Sequence, residues 1–265
     1  MRVTLLGTGG SAGVPMVGGA DGYGEWGACD PAEARNRRTR ASILIEADAG
    51  QDSAGLLIDT SPDLRGQLLA CGVRSVAAVL YTHAHADHIL GVDDVRGLNR
   101  TAGRPLAAYG TPTTLAEITN RFSYAFQPWQ PPLFFRPVLV PTPVEPGEII
   151  EVAGLRVRLF EQDHGFGRSL GLRAGGFAYS TDAVSLDDTA FAALEGVDTW
   201  VVGCFQREPH HTHAWLDRAL EWVARVRPRR TVLTHMGNDL DWDWLLRHLP
   251  AGVEPGHDGM VIAVG

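Results

Sequence analysis

The apolar run Val76-Ala77-Ala78-Val79-Leu80-Tyr81 leads directly into Thr82-His83-Ala84-His85-Ala86-Asp87-His88, so four metal-competent side chains crowd the exit of one strand. Imidazoles and a carboxylate packed so closely would desolvate and crowd one another without a cation, which makes the cluster a metal site. Such donors suit zinc, manganese or iron. Strand alternation puts His83, His85 and Asp87 on one side and His88 on the other, so the loop that follows must turn His88 inward.

The chain of 265 residues is 45% hydrophobic and 20% charged, enough for a full core and expected to fold as a single domain over 1–265. A net charge of -8 argues against a broadly basic nucleic-acid surface, so a large nucleic acid is not the expected partner. Small anions that bound cations could receive remain. Cys29, Cys71 and Cys204 are widely spaced, which fits a reducing compartment, with the cytoplasm as the expected location. No stretch approaches the roughly 20 apolar residues that span a bilayer, and the amino terminus reads as a first strand rather than a signal peptide. The oligomeric state is open, a homodimer included.

Strands are expected at Val3 to Leu6, Ser42 to Glu46, Leu56 to Asp59 and Val76 to Tyr81. Between the last two, Ser61, Pro62, the leucines Leu64, Leu68 and Leu69, and a terminal Gly72 spell a helix. A second helix is expected from Thr111 to Phe122. The segment Phe122 to Pro143, rich in proline and aromatics, reads as an insertion or lid whose Phe122, Tyr124, Phe126 and Trp129 could stack a nucleobase or pack on the core. Further strands follow at Ile149 to Val152, Leu155 to Phe160, Leu170 to Arg173, Phe177 to Ser180 and Thr199 to Cys204. A helix from Ala214 to Val226 ends before Pro228, and strands at Thr231 to Leu233 and Met260 to Val264 flank a short helix near Trp242 to Leu249.

Three more acid or imidazole positions fall where strands end: Asp163-His164-Gly165, Ser180-Thr181-Asp182 and Thr234-His235-Met236-Gly237. Each alone could be a cap or a turn residue. With His83, His85, Asp87 and His88 they complete a set, and the chain at this point resembles the metallo-β-lactamase superfamily, whose HxHxDH signature those four residues meet. The resemblance implies a four-layer αββα sandwich of two mixed sheets with helices outside. It further implies a two-metal centre, with His83, His85 and His164 on one ion, Asp87, His88 and His235 on the other, and Asp182 bridging.

Within the superfamily, Gly7-Thr8-Gly9-Gly10-Ser11, Asn36-Arg37-Arg38-Thr39-Arg40-Ala41-Ser42, Ala178-Tyr179-Ser180-Thr181-Asp182 and His210-His211-Thr212-His213 are similar to the phosphodiesterase subgroup of the carbon-phosphorus lyase pathway, related to transfer-RNA 3'-processing endonucleases. Relatives there can carry a cysteine cluster that binds a structural zinc. Here the loop offers only Cys29, so the loop Met16 to Asp30 must hold itself by glycine turns and packing around Trp26.

The function this implies is a hydrolase with two divalent ions, zinc or manganese and possibly iron, that cleaves small, cyclic or nucleotide-like phosphodiesters with a hydroxide shared between the cations. Asp87 would bind metal and orient the nucleophile. His213 is expected to protonate the leaving group, because an imidazole near neutral pKa donates at working pH. Arg38 and Arg40 are candidate guanidinium clamps for phosphate, with His210 a further phosphate contact. His211 and His257 read as surface residues and Cys204 as a buried structural thiol. The early glycines match no nucleotide-binding fingerprint and suggest a tight turn beside the metals. An RNA-processing nuclease, a thioester hydrolase and a non-catalytic accessory protein of cofactor biosynthesis are the alternatives.

Overall fold

The structure is a computed structural model that describes residues 1–47 and 54–265. The elements run β1 (Arg2–Gly7), β2 (Ser42–Glu46), β3 (Gly55–Ile58), α1 (Leu64–Ala70), β4 (Val76–Leu80), α2 (Ala86–Ile89), α3 (Val95–Ala102), β5 (Leu106–Gly110), α4 (Pro112–Arg121) and β6 (Leu139–Pro143). The second half continues with β7 (Ile149–Val152), β8 (Leu155–Asp163), β9 (Arg168–Ala174), β10 (Phe177–Ser180), α5 (Asp188–Leu194), β11 (Thr199–Gly203), α6 (Leu216–Val226), β12 (Arg230–Thr234), α7 (Trp242–His248), β13 (Val253–Pro255) and β14 (Val261–Ala263).

The strands form two mixed sheets, ordered β14-β1-β2-β3-β4-β5-β6 and β13-β12-β11-β10-β9-β8-β7. Period-two alternation sends one set of side chains between the sheets and the other outward. Leu5, Ile43, Ile45, Leu56, Ile58 and Leu80 of the first sheet meet Val157, Leu159, Leu172, Phe177, Tyr179 and Val201 of the second. Outward, Leu6, Leu44, Leu57 and Val79 pack on Leu64 and Leu68 of α1, Val95 and Leu98 of α3, and Leu115 and Ile118 of α4. On the other side Ala178, Trp200, Val202 and Leu233 pack on α5, α6 and α7 through Leu194, Ala219, Trp222 and Leu245. Central strands covered on both faces are apolar at nearly every position, as Leu56-Leu57-Ile58 and Trp200-Val201-Val202 are. The expected αββα sandwich is the one observed.

Local signals agree with the elements they announce. Thr111 caps α4 by accepting from the Thr114 N–H, Gly72 ends the α1 segment at φ 66°, and Arg227, the C-cap of α6, takes φ 55° just before Pro228. Aromatics of the segment Phe122 to Pro143 take the packing alternative. Phe122 and Phe126 pack on the outer core of the first sheet, and Trp129 stacks on Phe134 at 4.5 Å. Of the helical leucines predicted for α1, Leu69 faces solvent instead. No helix among the described residues is long and apolar enough to cross a membrane.

Candidate metal centre

The parallel strands β10, β11 and β12 end at the same edge of the second sheet, which delivers Asp182 and His235 to one place. β8 runs into His164, and the Leu170 N–H donates to the Thr82 carbonyl at 3.0 Å, stitching that edge to the exit of β4. His88 turns inward by a helical step rather than a loop. His85 caps α2, whose first turn carries Asp87 and His88 to the buried side. Three residues at this edge, Asp59, Asp182 and His235, hold positive φ without being glycine (62°, 50° and 56°). Backbone strain of that kind persists where the surroundings over-determine it, and it gathers at functional sites.

His83, His85 and His164 present ligand atoms to one another in one group, and Asp87, His88, Asp182 and His235 in a second, with all ligand atoms of a group within 4.8 Å. Asp182 also groups with His164 and His213. Its Oδ1 lies 3.7 Å from His164 Nε2, 3.9 Å from His83 Nε2 and 3.3 Å from His235 Nε2, while its Oδ2 lies 3.2 Å from His88 Nε2. Asp87 Oδ2 stands 3.3 Å from His88 Nε2 and 3.5 Å from His235 Nε2.

These approaches do not satisfy the imidazoles. His83 Nε2, His88 Nε2 and His235 Nε2 are buried without a hydrogen-bond partner. Buried ring nitrogens left so are costly unless a cation takes their lone pairs, so the residues present fit a metal.

The electrostatics agree. Burial by itself would raise the Asp182 carboxyl, but His235, His88 and His213 hold it well below the carboxylate range. Burial, helped by His88, holds His83 well below 6.5, and burial likewise lowers His164. Burial would lower His88 too, but Asp182, Asp59 and Asp87 outweigh it and raise that imidazole.

His213 Nε2 lies 3.0 Å from Asp182 Oδ1 and its Nδ1 2.8 Å from Thr212 Oγ1, with the side chain 15% exposed. Its ring stacks near His235 at 4.9 Å and against Phe205 at 4.9 Å. His210 stands beside it, with Nδ1 3.3 Å from His213 Nδ1. The early glycines do run beside this group, since the Gly10 N–H donates to the Met236 carbonyl and a side chain there would strike the Phe205 ring at 2.8 Å. Cys204 is fully buried, which pushes its thiol far up, while His211 is exposed and His257 packs edge-on against Trp242.

The arginines depart from expectation. Arg38 is 1% exposed and is no clamp: its guanidinium donates to the carbonyls of Gly237 at 3.0 Å and Leu240 at 2.6 Å. Val14 and Arg38 pair as an isolated bridge, and that register turns the side chain into the protein. Arg40 pairs with Asp63 at 2.9 Å, and Arg37 lies over Trp26 at 5.0 Å. Of the three residues proposed for phosphate, Arg38 thus braces the Gly237 to Leu240 loop, Arg40 is held by Asp63, and His210 stands beside His213.

Several residues escaped the sequence reading. Asp59 Oδ2 lies 2.7 Å from His88 Nδ1, and its carboxylate accepts from the N–H and hydroxyl of Thr82 at 2.8 Å each. Its place at the end of β3, beside the strand bearing the histidines, was the available signal. Phe205 walls one side of the histidines. On the other side a cleft of about 610 Å³ opens from His83, His85 and His164 towards Thr111, Glu145, Phe166 and Arg168.

Comparison with known proteins agrees with this geometry. Residues 55–236 match the family described as the Beta-lactamase superfamily domain. A solved structure of a new diphosphatase from the PhnP family is 32% identical with a TM-score of 0.87, covering 100% of this chain and 98% of that one. Zinc-bound PqqB from Methylobacterium extorquens shares the fold at 21% identity and a TM-score of 0.78, with both chains covered in full. An octanoyltransferase of Porphyromonas gingivalis is 33% identical over 98% of this chain, which spans about half (51%) of that protein's length. The chain belongs to the metallo-β-lactamase superfamily and, within it, to the PhnP family.

Proposed function

We propose that the protein is a two-metal phosphodiesterase acting on small phosphodiesters, with cyclic phosphates the favoured class. The observation that carries the reading is Asp182, set between two ligand groups with the His213 imidazole 3.0 Å from its Oδ1. His83, His85 and His164 would hold one divalent ion and Asp87, His88 and His235 the other, with Asp182 shared; the donors suit zinc, manganese or iron. Such a pair of ions lowers the pKa of water towards about 7 and neutralises charge as a phosphoryl group is displaced in line.

The chain's own residues supply the rest. Burial would raise the Asp87 carboxyl, but His88 and His235 hold it far down, so it stays ionised and can accept a hydrogen from the attacking water and orient it. His213, beside the ligand set and partly open to solvent, is placed to pass a proton to the leaving alkoxide, a contribution of about 10² to 10⁴ in rate. The PhnP-family relative named a diphosphatase supports chemistry at phosphorus.

The test is a panel of cyclic and linear phosphodiesters, with thioesters as the control class, assayed after manganese or zinc loading. The reading expects phosphodiester turnover that Asp182→Asn abolishes while metal content falls. Thioester hydrolysis alone, or full activity in the variant, overturns it.

A further inference from the structure

Resting on the phosphodiesterase reading, we propose that Thr212 is a positioning residue for the reaction: its hydroxyl fixes which nitrogen of His213 delivers the proton, while its carbonyl fixes which nitrogen of His164 faces the first ligand group. Thr212 Oγ1 lies 2.8 Å from His213 Nδ1, and the Thr212 carbonyl 2.7 Å from His164 Nδ1. One half-buried residue therefore grips both rings by the nitrogen turned away from Asp182, since His213 Nε2 is 3.0 Å and His164 Nε2 3.7 Å from its Oδ1.

The neighbouring imidazole sets the direction of the hydroxyl. His210 Nδ1 accepts from the Thr212 N–H at 3.3 Å, so it carries no hydrogen of its own. The hydroxyl, 3.3 Å from that same nitrogen, turns its hydrogen there and leaves its oxygen to accept from the His213 Nδ1–H. A ring that keeps its Nδ1 hydrogen exchanges protons only at Nε2. As the bond between phosphorus and the leaving oxygen breaks, the Nε2 hydrogen passes to that oxygen, and the imidazolium becomes a neutral ring still donating from Nδ1.

The surroundings hold Thr212 to this task. Gly165, at φ 77°, packs so close that a side chain there would strike Thr212 Cγ2 at 2.9 Å. The Ala214 N–H donates to the Ala183 carbonyl at 2.6 Å, and the Phe205 ring packs on His210 and His213 at 5.0 and 4.9 Å. Valine has the branched shape of threonine and keeps the main-chain carbonyl for His164, so Thr212→Val removes the hydroxyl alone.

Methyl p-nitrophenyl phosphate and methyl phenyl phosphate separate this role from a merely structural one. p-Nitrophenolate leaves without a proton near neutral pH, whereas phenolate, as basic as a tyrosine side chain at a pKa of about 10, needs one. In the zinc- or manganese-loaded protein, Thr212→Val should lower kcat for the phenyl ester about tenfold, leave the p-nitrophenyl ester within about twofold and keep the metal content of the wild type. Thr212→Ser should restore the phenyl ester. Equal loss on both esters, loss on neither, loss of metal in the valine variant, or no rescue by serine overturns the inference and leaves the phosphodiesterase reading intact. Wild-type turnover of the p-nitrophenyl ester alone does the same. Hydrolysis of neither ester by the wild type overturns both.

Discussion

Asp59 Oδ2 lies 2.7 Å from His88 Nδ1, and both side chains are fully buried. A ring that donates from Nδ1 to a carboxylate presents the Nε2 lone pair, which is the atom facing Asp87 and Asp182. Asp59 thus fixes the tautomer and aim of the His88 ring within its group.

Asp59→Asn is the informative variant, because asparagine tolerates the positive φ at this position while losing the charge. Metal affinity should fall about 10- to 100-fold, read by competition with a chromophoric chelator. Unchanged affinity would mean that the pair serves packing alone.

His213→Ala should keep the metal content of the wild type and lower kcat by about 10² to 10⁴. Loss of metal in this variant would instead make His213 a ligand with His164 and Asp182, a grouping the geometry also permits.

Arg38→Met separates bracing from catalysis. Removing a buried guanidinium from the Gly237 and Leu240 carbonyls should destabilise the fold by about 2–3 kcal/mol in urea unfolding. KM for a phosphodiester should be unchanged in the folded protein. A raised KM at normal stability would return Arg38 to the substrate.

The metal-free protein should gain stability as pH rises from about 5 to 6.5. Burial lowers His83, His85, His164, His210 and His213 below 6.5, so in that window the unfolded chain binds more protons than the folded one. His88 works oppositely: its carboxylate partners raise it, and its contribution, complete below 6.5, fades only as pH climbs through its elevated value. A urea midpoint that falls between those two pH values in chelator-treated protein would contradict the balance.

Much of the candidate centre could be read from sequence because the residues that gather there announce themselves by density, as at His83 to His88, or by position at strand ends, as at His164, Asp182 and His235. The strands were legible for a related reason: apolar runs covered on both faces leave little ambiguity. Arg38 was not, since its partners lie 199 and 202 residues downstream and nothing local tells a solvated guanidinium from a buried one. For the aromatics of Phe122 to Pro143 the sequence left stacking and packing open, since composition cannot say which surface a loop faces, and Phe122 and Phe126 take the packing side.

Stepwise addition of zinc or manganese to chelator-treated protein, following bis(p-nitrophenyl) phosphate hydrolysis against bound metal, tests the central claim most directly. The two ligand groups around Asp182 predict activity that rises to a plateau at two equivalents per chain. Full activity at one equivalent, or no phosphodiester hydrolysis at two, would contradict it.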